Sequence, residues 1–229
     1  MTSKTIDSEW KYLCHLEDSD ETELEQVDID HILQLLRTEN LDVRNFAVQI
    51  AGLYYCPSFE QSLVELLKDR ESIVRVNACD SLSNSDNASV REKIIPLMPA
   101  RQRLERGYAL ISYSDITLNS GQPKEPAIEV LRQYFEKERN TWVRVLGIEA
   151  LAQLGDKQAL PELYRHTSDT YYNTRRVAIG CAHEFLADLD HGQLLFVLQA
   201  QRTKEEDPSI KDEIDNLIGE IGNNKQQTN

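Results

Sequence analysis

Apolar residues recur along this chain in short clusters at helical spacing. Ile32, Leu33, Leu35 and Leu36 form one cluster, and Leu63, Val64, Leu66 and Leu67 the next. Ile94, Ile95, Leu97 and Met98 follow, then Ile128, Leu131, Tyr134 and Phe135, then Leu160, Leu163 and Tyr164, then Leu194, Leu195, Val197 and Leu198. Steps of three and four residues place each set on one face of a helix. No stretch alternates apolar and polar residues with period two over a useful length. The pattern predicts an all-α chain.

Between these clusters runs a second, more regular signal. The segments "VRNFA", "VRVNA", "VRVLG" and "TRRVA" place an arginine three residues before a very small residue. The pairs are Arg44 with Ala47, Arg75 with Ala78, Arg106 with Ala109, Arg144 with Gly147, and Arg175 with Ala178. Successive arginines lie 31, 31, 38 and 31 residues apart, and a degenerate sixth copy begins at Lys211. A fixed period in this range marks a solenoid, in which each helix pair buries its apolar face against a copy of itself. The small residue lets paired helices approach closely. Asp69, Glu138 and Asp169 each lie six residues before a repeat arginine, at the expected turn between paired helices. An acid there favours the following helix N-terminus and is placed to pair with an arginine of its own or a neighbouring repeat. Gly155 reads as a helix C-cap, and Asp156 as the N-cap of the next helix, with Pro161 interrupting its start.

These words resemble the HEAT-repeat family, and more closely its short-repeat branch, named for phycobilisome bilin lyases. "DRESIVRVNACDSL" (69–82) and "ERNTWVRVLGIEALAQLGDKQALPEL" (138–163) carry the resemblance. It implies a right-handed α-α superhelix of five to six repeats, built as one domain over residues 28–220. Repeat three departs from the pattern: Glu105 stands where an apolar residue is expected, and 113–126 carries an insertion of about seven residues. Residues 1–27 hold the acidic run "EDSDETELEQ", expected as a loop or short helix, and 221–229 is expected as a disordered tail.

Charge narrows the partners. The formal net charge is −14 and the pI about 4.8. Nucleic-acid binders carry basic stripes that displace counterions from phosphate, and this chain has the opposite sign. Nucleic acid and anionic membranes are therefore not expected, whereas a protein with a basic surface is. No apolar run approaches the roughly 20 residues that span a bilayer, and no leader-like segment opens the sequence, so a cytoplasmic location is expected. Cys14, Cys56, Cys79 and Cys181 are widely spaced and form no CxxC pair, as expected of reduced, buried thiols.

In families of this kind the second helix of each pair lines the concave surface. Counting one, five, eight and nine residues from each repeat arginine gives its outward positions. They are Asn45 and Gln49; Asp80, Ser83 and Asn84; Ile111, Ser114 and Asp115; Glu149 and Gln153; and Arg176, His183 and Glu184. This polar ridge is the candidate partner-binding surface. Tyr54, Tyr55, Trp142, Tyr171 and Tyr172 are further contact candidates near helix ends.

No Gly-rich phosphate loop and no GxSxG elbow occur. "HEFLADLDH" (183–191) spaces its histidines eight apart, not the four a zinc-peptidase helix needs, so neither a metal nor another cofactor is expected. The expected function is a non-catalytic protein-binding scaffold, an adaptor or an inhibitor of the immunity type, acting as a monomer or weak dimer. The resemblance implies an alternative: a bilin-lyase-like enzyme or chaperone that serves tetrapyrrole attachment to a protein. Helical-repeat DNA glycosylases share only the fold class, and their basic, tryptophan-lined groove is missing here.

Overall fold

The computed structural model describes residues 3–20 and 22–227. Among them are thirteen α-helices and no strand, the all-α, helical-repeat architecture that the apolar spacing predicts. The helices are α1 (Ser3–Glu17), α2 (Gln26–Leu35), α3 (Leu41–Leu53), α4 (Pro57–Leu66), α5 (Ser72–Leu82), α6 (Ala88–Ile94) and α7 (Arg103–Asn119). They continue with α8 (Lys124–Phe135), α9 (Thr141–Gln153), α10 (Leu163–His166), α11 (Tyr172–Glu184), α12 (His191–Arg202) and α13 (Pro208–Gln227). The chain divides into two compact units, Met1–Ala127 and Ile128–Asn229.

In the first unit, helices α3, α5 and α7 carry the repeat words and stack side by side, while α2, α4 and α6 pack behind them. Ala47, Ala78 and Ala109 are fully buried where these helices meet. Helix α1 extends the same layer by packing on α3. Leu13 and Leu16 are buried, the Trp10 ring lies 4.8 Å from Phe46, and the Tyr54 hydroxyl donates to the Leu16 carbonyl at 2.6 Å. The segment 1–27 therefore contains a packed helix ahead of the acidic run. Residues 1, 2 and 21 lie outside the described ones. Glycine serves packing at Gly52, where an added Cβ would strike the Ser81 Oγ at 2.5 Å.

The second unit repeats the plan. Helix α9 stacks on α11 and α11 on α13, with α10 and α12 on the other side. Pro161 shortens the first helix of its pair: a 3-10 turn at Leu160–Glu162 leads into the four-residue α10. Of the stretch 221–229, Ile221 is buried and α13 runs on to Gln227, while residues 228 and 229 lie outside the described ones.

Each repeat arginine is a joint. Its Nη1 donates to the carbonyl six residues earlier: Arg44 to Thr38 (2.7 Å), Arg75 to Asp69 (2.6 Å), Arg106 to Ala100 (3.0 Å), Arg144 to Glu138 (3.1 Å) and Arg175 to Asp169 (3.0 Å). This ties helix two to the turn that precedes it. Arg44, Arg75, Arg144 and Arg175 also reach a carboxylate further along the chain, of Asp69, Glu105, Glu162 and Glu205 respectively. Glu105, the departure from the apolar pattern, is buried and accepts both Arg75 Nη2 and Ser72 Oγ at 2.6 Å. The three turn acids share one role: Asp69, Glu138 and Asp169 each accept from the backbone N–H two residues on, of Glu71, Asn140 and Tyr171. Asp69 also pairs with the arginine of the previous repeat.

The insertion in repeat three lengthens a helix. Helix α7 has 17 residues against 11 in α5, and Gly121, at φ 64°, terminates it. Gly155, at φ 102°, ends α9 in the same way: its N–H reaches Ala152 and the Asp156 N–H reaches Leu151, both at 2.9 Å. These are the paired bonds of a glycine-terminated helix, and the left-handed φ explains the glycine.

Candidate functional site

Positions one, five, eight and nine after each arginine meet different fates. In the first unit several of them are used to join neighbouring second helices. Asn45 Oδ1 accepts from Asn77 at 2.9 Å, Asn84 donates to the Gly52 carbonyl at 3.3 Å, and the Ser83 carbonyl accepts from Asn119 at 2.8 Å. Ser114 is fully buried, so position eight of the third repeat points into the packing. Gln49 and Asp80 remain exposed and Asp115 half-buried. The helices around Asp80 still withhold enough water to raise its carboxyl pKa.

In the second unit four of the five ridge residues come together. Glu149, Arg176, His183 and Glu184 line one cleft of about 390 Å³ on the second-helix face, while Gln153 lies outside it. Val177, Ile179 and Cys181 supply apolar lining, and Glu213 and Asn216 of α13 complete the wall. The volume falls in the range of small-molecule sites, about 300–1,000 Å³. His183 Nε2 lies 2.9 and 3.0 Å from the two Glu220 carboxylate oxygens, which ties α11 to α13 beside the cleft.

The electrostatics of the cleft are set by its acids. Three carboxylates, Glu149, Glu184 and Glu213, share it with one guanidinium, Arg176. Burial pushes the Cys181 thiol pKa well up, and the charges of Glu149 and Glu184 push it further. Both carboxylates line the same cleft as that sulfur, whose raised pKa makes it a poor nucleophile. The wall offers hydrogen-bond acceptors and one anion-binding fork around an apolar patch. Such a surface suits an elongated apolar ligand with N–H donors and a carboxylate.

Gly180 also lines the cleft and escaped the sequence count. It occupies position five after Arg175, where the other repeats carry Gln49, Asp80, Ile111 and Glu149. A bare position in that register was the available signal. The contact candidates at helix ends do not join this site: Tyr171 and Tyr172 are exposed at the start of α11, and Tyr55 bonds Glu60 at 3.0 Å in the first unit.

Two further clefts follow the stacking joints. One of about 780 Å³ surrounds Arg144 and Glu162, with buried His166, whose pKa burial lowers, on its wall. A smaller one surrounds Arg44 and Asp69. A further groove of about 610 Å³ lies between α4 and α6, over Val64, Leu67 and Leu97. Among the described residues, no group of His, Cys, Asp and Glu is arranged to hold a metal ion, and no helix is long and apolar enough to cross a membrane.

No family model matches the chain, and no curated protein matches it. Among solved structures, a chain of the complex of CpcE and CpcF of phycocyanin lyase from Nostoc sp. PCC7120 is similar at 17% identity, with a TM-score of 0.47. The match covers 89% of this chain and 97% of that one. This finding corrects two expectations. The first was a non-catalytic protein-binding scaffold, and the second the absence of enzymatic activity. The matched structure is a phycocyanin lyase complex, and neither expectation is carried further.

Proposed function

We propose that this chain handles an open-chain tetrapyrrole on behalf of a protein acceptor, as bilin-lyase-type repeat proteins do, and holds it in the second-helix cleft of residues 149–216. The repeat words at 69–82 and 138–163, which resemble that branch, support the choice of ligand. The observation that carries the reading is the composition of the cleft. Apolar lining from half-buried Val177, with Ile179 and Cys181 buried behind it, suits the conjugated rings. Glu149 and Glu184 are acceptors for pyrrole N–H groups, and Arg176 is a fork for a propionate carboxylate. The buried Cys181 thiol, its pKa raised, is a poor nucleophile toward the ligand. The acceptor protein carries the reacting cysteine. It meets a chain of net charge −14 and therefore presents a basic surface.

The test is uptake of biliverdin by the purified protein, followed through its visible absorption. Wild type is expected to shift and sharpen the long-wavelength band. Arg176→Glu, and separately the pair Glu149→Gln with Glu184→Gln, should leave the helical circular dichroism intact and abolish that shift. A wild-type protein that leaves the biliverdin spectrum unchanged sinks the proposal.

A further inference from the structure

Gly180 stands in the interior of α11, as the ninth of its thirteen residues. Glycine inside a helix costs about 1 kcal/mol relative to alanine. At Gly52, Gly121 and Gly155 a structural need accounts for the glycine, but none of those needs applies here. The left-handed conformation that demands glycine at Gly121 and Gly155 is absent from Gly180. Close approach of a neighbouring helix demands it at Gly52, yet a Cβ built on Gly180 meets nothing within 4 Å. Gly219 and Gly222 of α13 are equally open, but neither lines the cleft. At Gly180 the empty space is the cleft itself. In four other repeats the same register carries a side chain, and Glu149, the counterpart on the adjacent helix α9, also lines this cleft.

We propose that Gly180 is a ligand-contact position, left without a side chain so that the flat face of an open-chain tetrapyrrole rests on the α11 backbone between Glu149 and Glu184. This inference rests on the tetrapyrrole reading above and names the residue that makes room for the ligand. A planar conjugated molecule gains most of its affinity from area removed from water, so a surface that admits close approach is worth a small loss of helix stability. The carboxylates on either side then accept from N–H groups at the ligand's edge. Both line the same cleft as Gly180.

Two variants, Gly180→Ala and Gly180→Leu, test this against wild type in the intact chain. Each is measured by biliverdin titration and by urea denaturation without ligand. Gly180→Ala should unfold at higher urea than wild type while binding biliverdin roughly tenfold more weakly, the lower range of what one misplaced methyl does in a fitted pocket. Gly180→Leu should fold and bind no biliverdin. If wild type binds and both variants bind equally well, Gly180 is not a contact and the inference falls, while the tetrapyrrole reading stands. A Gly180→Ala protein less stable than wild type would assign the glycine to packing and overturn the inference as well. If wild type itself takes up no biliverdin, the tetrapyrrole reading fails and takes this inference with it.

Discussion

The repeat arginine performs three jobs with one planar group. It closes its own turn through a carbonyl, reaches a carboxylate further along the chain and can rest on an aromatic face; the Arg144 guanidinium carbon, for example, lies 4.3 Å from the centre of the Phe135 ring. Arg75 shows the consequence of removing it. Glu105 is almost fully buried, so Arg75→Ala strands a carboxylate away from water. Such losses cost about 3–5 kcal/mol. Urea denaturation of Arg75→Ala should show a drop of that order, and Arg75→Ala combined with Glu105→Leu should recover much of it. At the other end of the chain, Arg175 and Gln201 hold the Glu205 carboxyl down to about 2. A carboxyl depressed in the folded state adds stability above its unfolded value, near 4.5, and loses that contribution as pH falls toward 2. Stability measured between pH 5 and 2 should therefore decline with a component that Glu205→Gln removes.

Helix ends and helix contacts make separate demands. Gly155 sits in a left-handed conformation that costs other residues about 1–2 kcal/mol. Gly155→Ala should destabilise by about that amount in denaturant melts, opposite in sign to Gly180→Ala. Ala78 is fully buried between stacked helices, so Ala78→Leu should overpack the contact and cost roughly 1–3 kcal/mol. These elements were readable from the sequence because their causes are local. Apolar steps of three and four, a glycine after a helix and a proline near its start act within a few residues. Glu105 was harder. As a polar residue in an apolar register it looked like a weakened repeat, and its partners Ser72 and Arg75 lie about 30 residues away.

At the scale of the whole molecule, two stacks of helix pairs each present a layer of second helices, and they use it differently. In the first unit, asparagines cross-link that layer and α1 covers its end. Removing residues 1–20 would uncover the surface buried by Leu13, Leu16 and Trp10. The loss should exceed about 3 kcal/mol at 1.5–3 kcal/mol for each buried apolar side chain. A thermal midpoint unchanged by this truncation would refute the covering role of α1. In the second unit the layer opens into the cleft, and the chemistry proposed for the chain gathers there.

The period of the arginines, the small residue three places on and the apolar spacing were enough to establish an all-α repeat protein. A solenoid is held by contacts between neighbours in sequence, so its rule is written once per repeat. The same rule could not tell which ridge residues would line a cleft. Asn45 and Glu149 occupy the same kind of helix face, yet Asn45 bonds a neighbouring asparagine in the packed layer and Glu149 borders a cleft. That difference depends on what the adjacent helix presents and on the space left where Gly180 lacks a side chain. Cavities arise from the fit of whole helices, and only the tertiary structure decides that fit.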